Sequence, residues 1–113
     1  MGHRDELIEK YAHELQERCG VTADRDLLTR VVIGLGPAVY NRDASTIAAS
    51  DPAEVAYIKK HFLIDKLGLT DGPDLDAAID KAFERYGHDN RHKYRAVVYY
   101  LLTRHFGRDA AYP

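Results

Sequence analysis

The chain has a single cysteine, Cys19, among its 113 residues. An internal disulfide is therefore excluded, and so is a zinc site built on cysteines. No apolar run approaches the roughly 20 residues that a membrane-spanning helix needs. Neither sign of charge is in excess: 16 Lys and Arg stand against 18 Asp and Glu, for a net charge of −2. The whole molecule then exerts no strong pull on nucleic acid or an anionic membrane; only a local patch could. The opening Met1-Gly2-His3-Arg4-Asp5-Glu6 is not followed by an apolar h-region, so no signal peptide is expected. Internal repeats and low-complexity segments are lacking as well. These absences make a cytoplasmic protein the expectation, with no membrane partner.

What is present is the material for a core. Hydrophobic residues make up 45% and charged ones 30%, intermixed along the chain, a composition that folds rather than stays disordered. The length suits one domain over residues 1–113, with 1–4 and 108–113 expected to fray. Apolar residues recur at helical spacing in five stretches. Leu7, Ile8, Tyr11, Leu15 and Cys19 form the stripe of the first helix, from about Asp5 to a stop at Gly20. Thr22 is the expected cap of the second, which carries Leu27, Leu28, Val31 and Val32. The run Val31-Val32-Ile33 could read as a strand, but the upstream period and the lack of a partner strand favour a helix. Gly34-Leu35-Gly36-Pro37 breaks it, and Pro37 opens a short helix to about Tyr40. Asn41 to Ser50 is small and polar, a loop with one helical turn, anchored by Ile47. In Asp51-Pro52-Ala53-Glu54 a cap, a first-turn proline and a glutamate that can reach back to the cap N–H open the next helix, which runs to Leu67. Asp71-Gly72-Pro73 opens another, from Leu75 to Tyr86. The last is expected from Asp89 or Asn90 to Gly107. The expected fold is all-α: a compact bundle of about five helices with mostly short connections.

The last helix is the most apolar, the most aromatic and the most basic. Arg91, Lys93, Arg95 and Arg104 oppose only Asp89, and Tyr99 and Tyr100 add stacking surface. Cations meet phosphates and tyrosines stack on bases, so the pattern admits nucleic acid. The preceding helix is acidic, however, with Asp74, Asp76, Asp80 and Glu84, and the two could neutralise each other side by side. Tyr94, Tyr99 and Tyr100 do not all fit one core-facing stripe, and tyrosine is enriched at interfaces. A non-enzymatic interaction module, taking a protein partner or a second copy of itself, is therefore the first reading. A nucleic-acid-binding module is the second. The surface offered by both is Arg91, Lys93, Arg95, Tyr99, Tyr100 and Arg104.

Other chemistry fails on spacing. His88 and His92 are four apart, but a helix boundary falls between them and no metalloprotease glutamate follows. Gly34-Leu35-Gly36 lacks both the third glycine of a dinucleotide loop, at Val39, and a Gly-Lys-Ser/Thr ending. Counted from Asn41, the residues Asn41, Asp43 and Ser45 have the oxygen spacing of a calcium loop. Thr46 stands where its glycine belongs and Pro52 where its glutamate belongs. Cys19, on an apolar stripe, reads as a small buried hydrophobe, and no Gly-x-Ser-x-Gly elbow exists. No catalytic residue, metal or cofactor is expected. A third reading, an enzyme, would need a pocket where Asn41 to Ser50 meets the last helix, lined by Tyr40, Asp43, Ser45 and Arg95.

Several stretches share a pattern with a known family: Ile33-Gly34-Leu35-Gly36-Pro37, Tyr40-Asn41, Asp43-Ala44-Ser45-Thr46, Ala48-Ala49-Ser50-Asp51-Pro52-Ala53-Glu54, Lys66-Leu67-Gly68-Leu69, Asp71-Gly72-Pro73, and Lys93-Tyr94-Arg95-Ala96-Val97-Val98-Tyr99-Tyr100-Leu101-Leu102. Together they resemble domain of unknown function 2853, a family of small bacterial proteins. The resemblance implies a stand-alone helical domain with an orthogonal, EF-hand-like arrangement and no calcium loops. It implies no activity, so no residue inherits a role.

Overall fold

The structure is a computed structural model that describes residues 2–41, 43–87 and 92–112, with His92 described by its backbone alone. The molecule is an all-α domain of five main helices with one small sheet. Helix α1 spans His3–Cys19 and buries Ile8, Tyr11, Ala12, Leu15 and Cys19. It stops at Gly20, whose φ of 66° is the left-handed cap that glycine adopts without a Cβ penalty. Helix α2 spans Arg25–Leu35. Its cap is Asp24, whose carboxylate accepts from the Asp26 and Leu27 N–H groups at 3.1 and 3.2 Å. The expected cap, Thr22, instead donates to the Gln16 side chain at 3.1 Å. A 3₁₀ turn over Gly36–Tyr40 follows, as Pro37 suggests.

Helix α3 begins at Pro52 behind Asp51, which accepts from the Ala53 N–H at 2.9 Å. After Tyr57 the helix widens into a π-helical stretch, Ile58–Lys66, that buries Ile58, Phe62 and Leu63. Helix α4 spans Pro73–Tyr86 and shows the unbroken stripe Leu75, Ala78, Ile79, Ala82, Phe83 and Tyr86 facing inward. Helix α5 spans Arg95–His105. It starts later than Asp89 or Asn90, both of which lie outside the described residues. The stretch before it is strand β2, His92–Tyr94, paired antiparallel with β1, Thr46–Ala48. Ile47 faces Lys93 in this register. So the segment expected to be loop contains a strand, and the strand partner that the sequence did not reveal is the start of the expected last helix.

Two helix–strand–helix units therefore meet through their strands: α2–β1–α3 and α4–β2–α5. Each is a helix–loop–helix in connectivity. Thr46 begins a strand and Pro52 a helix. Helix α5 lies at the centre: Ala96, Val97, Val98, Tyr99, Tyr100, Leu102 and Thr103 are all buried. Helix α1 is already formed at His3. After α5 the chain makes a 3₁₀ turn over Asp109–Ala111 and buries Tyr112.

Candidate functional site

Helix α5 is enclosed on enough sides to absorb its aromatics. The Tyr100 hydroxyl accepts from the Asp24 N–H at 2.8 Å and so fixes the start of α2. Tyr99 stacks on Phe62 with ring centroids 3.8 Å apart. Both tyrosines are at most 5% exposed, so neither offers the surface expected of it. Lys93 is also interior; its ammonium donates to the Gly87 carbonyl at 2.9 Å beside the rings of Phe83 and Tyr86. Arg104 is on the surface and pairs with Asp109 at 2.9 Å. Arg91 lies outside the described residues. Helices α4 and α5 pack against each other, but among the described residues no ion pair joins them. The α4 carboxylate of Asp76 pairs with Lys59 of the π-helical stretch, not with α5.

Arg95 is the residue on which a site converges. Its backbone N–H donates to the Ser45 carbonyl at 2.8 Å, which sets the first turn of α5 against the end of the 41–45 segment. Its side chain donates from Nε to the Ala44 carbonyl at 3.2 Å and from Nη1 to the Tyr99 hydroxyl at 3.1 Å. Its Nη2 is paired with Glu54. Glu54 thus turns away from the role of closing the α3 cap and goes to the arginine. The guanidinium also lies over the rings of Tyr57 and Tyr99, at 5.6 and 5.7 Å.

This ion pair separates two hollows. The larger, about 1080 Å³, lies toward α1 and is edged by Tyr40, Asp43, Ser45 and Arg95. It is the pocket position foreseen for those four residues. Ser45 is buried there, and the Asp43 backbone N–H donates to the Asn41 side chain at 2.9 Å. The smaller hollow, about 420 Å³, lies between the end of α2, the π-helical stretch, α5 and Tyr112. Gly34, Leu35 and Ala38 form one wall, and Tyr57, His61, Phe62 and Lys66 the other. Burial pushes the Tyr99 hydroxyl up, with Arg95 pulling against it. Burial, reinforced by Tyr99, pushes the Tyr112 hydroxyl up. Cys19 is far from reactive: burial pushes its thiol to about 11, so it stays protonated at neutral pH. Among the described residues no group of three or more His, Cys, Asp or Glu side chains is placed to hold a metal ion.

Sequence reasoning missed Gly34, Tyr57, Lys66 and Tyr112 as site residues. Gly34 had a signal, because a glycine inside a helical pattern needs a packing reason. Tyr112 had one too: a large aromatic in a polar tail gains little from staying in water.

The family match covers residues 10–110, nearly the whole domain. The chain belongs to DUF2853. That family is described as proteins of unknown function. No curated protein matches the chain. The DUF2853 match spans both helix–strand–helix units and the Glu54–Arg95 pair; of the residues that edge the hollows, His3, Leu7 and Tyr112 lie outside it.

Proposed function

We propose that this member of DUF2853 is a non-enzymatic interaction module that receives a protein partner, or a second copy of itself, on the face around the Glu54–Arg95 pair. One observation carries the reading. Among the described residues the exposed large hydrophobics are Ile33, Tyr40 and Tyr57, each about half exposed at 51, 53 and 50%. Tyr40 edges the larger hollow and Tyr57 the smaller. Aromatic side chains at the rim of concave surface are the anchors that interfaces use. A bacterial cytoplasm suits the reading, since a single free thiol, Cys19, fits a reducing compartment. The same geometry speaks against phosphate binding by α5, because Arg95 and Arg104 each already have a carboxylate and Lys93 is interior.

The test is site-specific photo-crosslinking in the native host. A photoreactive phenylalanine replaces Tyr57 or Tyr40, with Glu17 on the exposed side of α1 as the control position. A discrete crosslinked species from positions 57 and 40, and none from 17, is expected. Equal crosslinking from all three, or none from any, removes the proposal.

A further inference from the structure

The smaller cleft has a one-sided hydrogen-bond inventory. The Tyr99 oxygen accepts from Arg95, which leaves the phenol's own proton to be donated. Among the described residues that proton has no acceptor. The Tyr112 hydroxyl has no partner there either. Lys66 Nζ sits 4.6 Å from the centre of the Tyr112 ring, and no described carboxylate is within ion-pair distance of it. Against these three donors the cleft has one carboxylate, Glu54, already paired with Arg95. Burial raises both tyrosine hydroxyls, so they remain donors throughout the neutral range.

A cationic guest does not suit the cleft. The aromatic faces that would take one are covered by the protein's own cations: Tyr57 and Tyr99 by Arg95, Tyr112 by Lys66. A dianion does not suit it either, because among the described residues lining the cleft Lys66 is the single cation without a carboxylate. The walls favour a flat body. Leu35 and Ala38 on one side are aliphatic, and the half-exposed ring of Tyr57 stands on the other. A volume of about 420 Å³ is within the range of small-molecule pockets.

We propose that this cleft binds a small monoanion of the aromatic carboxylate class, its carboxylate received by Lys66 and the hydroxyls of Tyr99 and Tyr112, its ring held between the Leu35 and Ala38 wall and Tyr57. The inference shares Tyr57 with the interaction reading, whose other anchor, Tyr40, edges the larger hollow.

The experiment is an NMR titration of the ¹⁵N-labelled full chain with sodium 2-naphthoate. Its uncharged amide and inorganic phosphate serve as controls. Saturable shifts confined to residues near 34, 57, 66, 95 and 112 are expected, with the amide about tenfold weaker. Lys66→Gln, an exposed substitution, and Tyr112→Phe, which keeps the ring, should each weaken naphthoate by about five- to tenfold. Their amide spectra report whether the fold is retained. Equal affinity for the amide, equal affinity for phosphate, shifts centred elsewhere, or no saturation up to about 10 mM each overturn the assignment. None of these outcomes bears on crosslinking from position 40, so the two ideas fail separately.

Discussion

Arg95 shows what decides the fate of a charged residue in this molecule. Its side chain is 13% exposed and that of Glu54 is 22% exposed, so the pair is largely removed from water. Removing one member leaves the other charge with little hydration. Glu54→Gln should therefore cost about 1–3 kcal/mol in urea unfolding. The double substitution Glu54→Gln, Arg95→Met should cost clearly less than the two single losses added together. Additive losses would mean that the pair is not coupled. A second prediction concerns alkaline pH. Burial, with Tyr94 adding to it, holds the Tyr11 hydroxyl at about 12, above its ordinary 10.0. The folded protein then keeps a proton that the unfolded chain releases. This contribution is complete below pH ~10 and is lost as pH rises to ~12, worth up to about 3 kcal/mol. Tyr11→Phe should leave stability at pH 7 nearly unchanged and flatten the decline between pH 10 and 12. Cys19 was legible at this scale, because a thiol on an apolar stripe can be read from spacing. Tyr99 and Tyr100 were not. Spacing within one helix says which residues share a face, but not how many neighbours surround that helix.

The legible elements are those whose signal is local. Asp51-Pro52 opens α3, and glycines stop α1 and α4, where the sequence indicates. The strands were not legible because each has three residues and gains its hydrogen bonds from a partner more than forty positions away. The π-helical stretch was not legible either. Its apolar residues, Ile58, Phe62 and Leu63, fit an ordinary helical period well enough to hide a wider turn. The docking of the tail on α2 is also a relation between elements, and it makes a sharp prediction. A Cβ at Gly34 would lie 3.1 Å from Tyr112 Cε1. Gly to Ala inside a helix ordinarily stabilises by about 0.5–1 kcal/mol. Gly34→Ala should show that gain only in a Tyr112→Ala background. In the otherwise unchanged protein the ring must shift, and the gain should vanish or reverse. A full gain in both backgrounds would show that Tyr112 does not rest on α2.

For the molecule as a whole, the β1–β2 pair is the seam between the two helix–strand–helix units. Ile47 is fully buried at that seam, opposite Lys93. Ile47→Ala should cost about 2–4 kcal/mol, since the cavity would open between packed units that cannot easily collapse into it. Far-UV circular dichroism and tyrosine fluorescence should still give one coincident unfolding transition, because α5 is packed into both units. Separate transitions would mean that the units are independent. The seam has a further consequence through the connection that follows the π-helical stretch. Six residues, 67–72, join one unit to the other and must turn the chain back so that β2 can reach β1. A connection too short to fold back leaves each unit its complementary surface but only on another molecule. Deleting residues 69–71 should accordingly yield an exchanged dimer, with β1 of one chain beside β2 of the next, visible as a doubled mass in light scattering. The same six residues that close the monomer thus hold it back from interlocking with its neighbours.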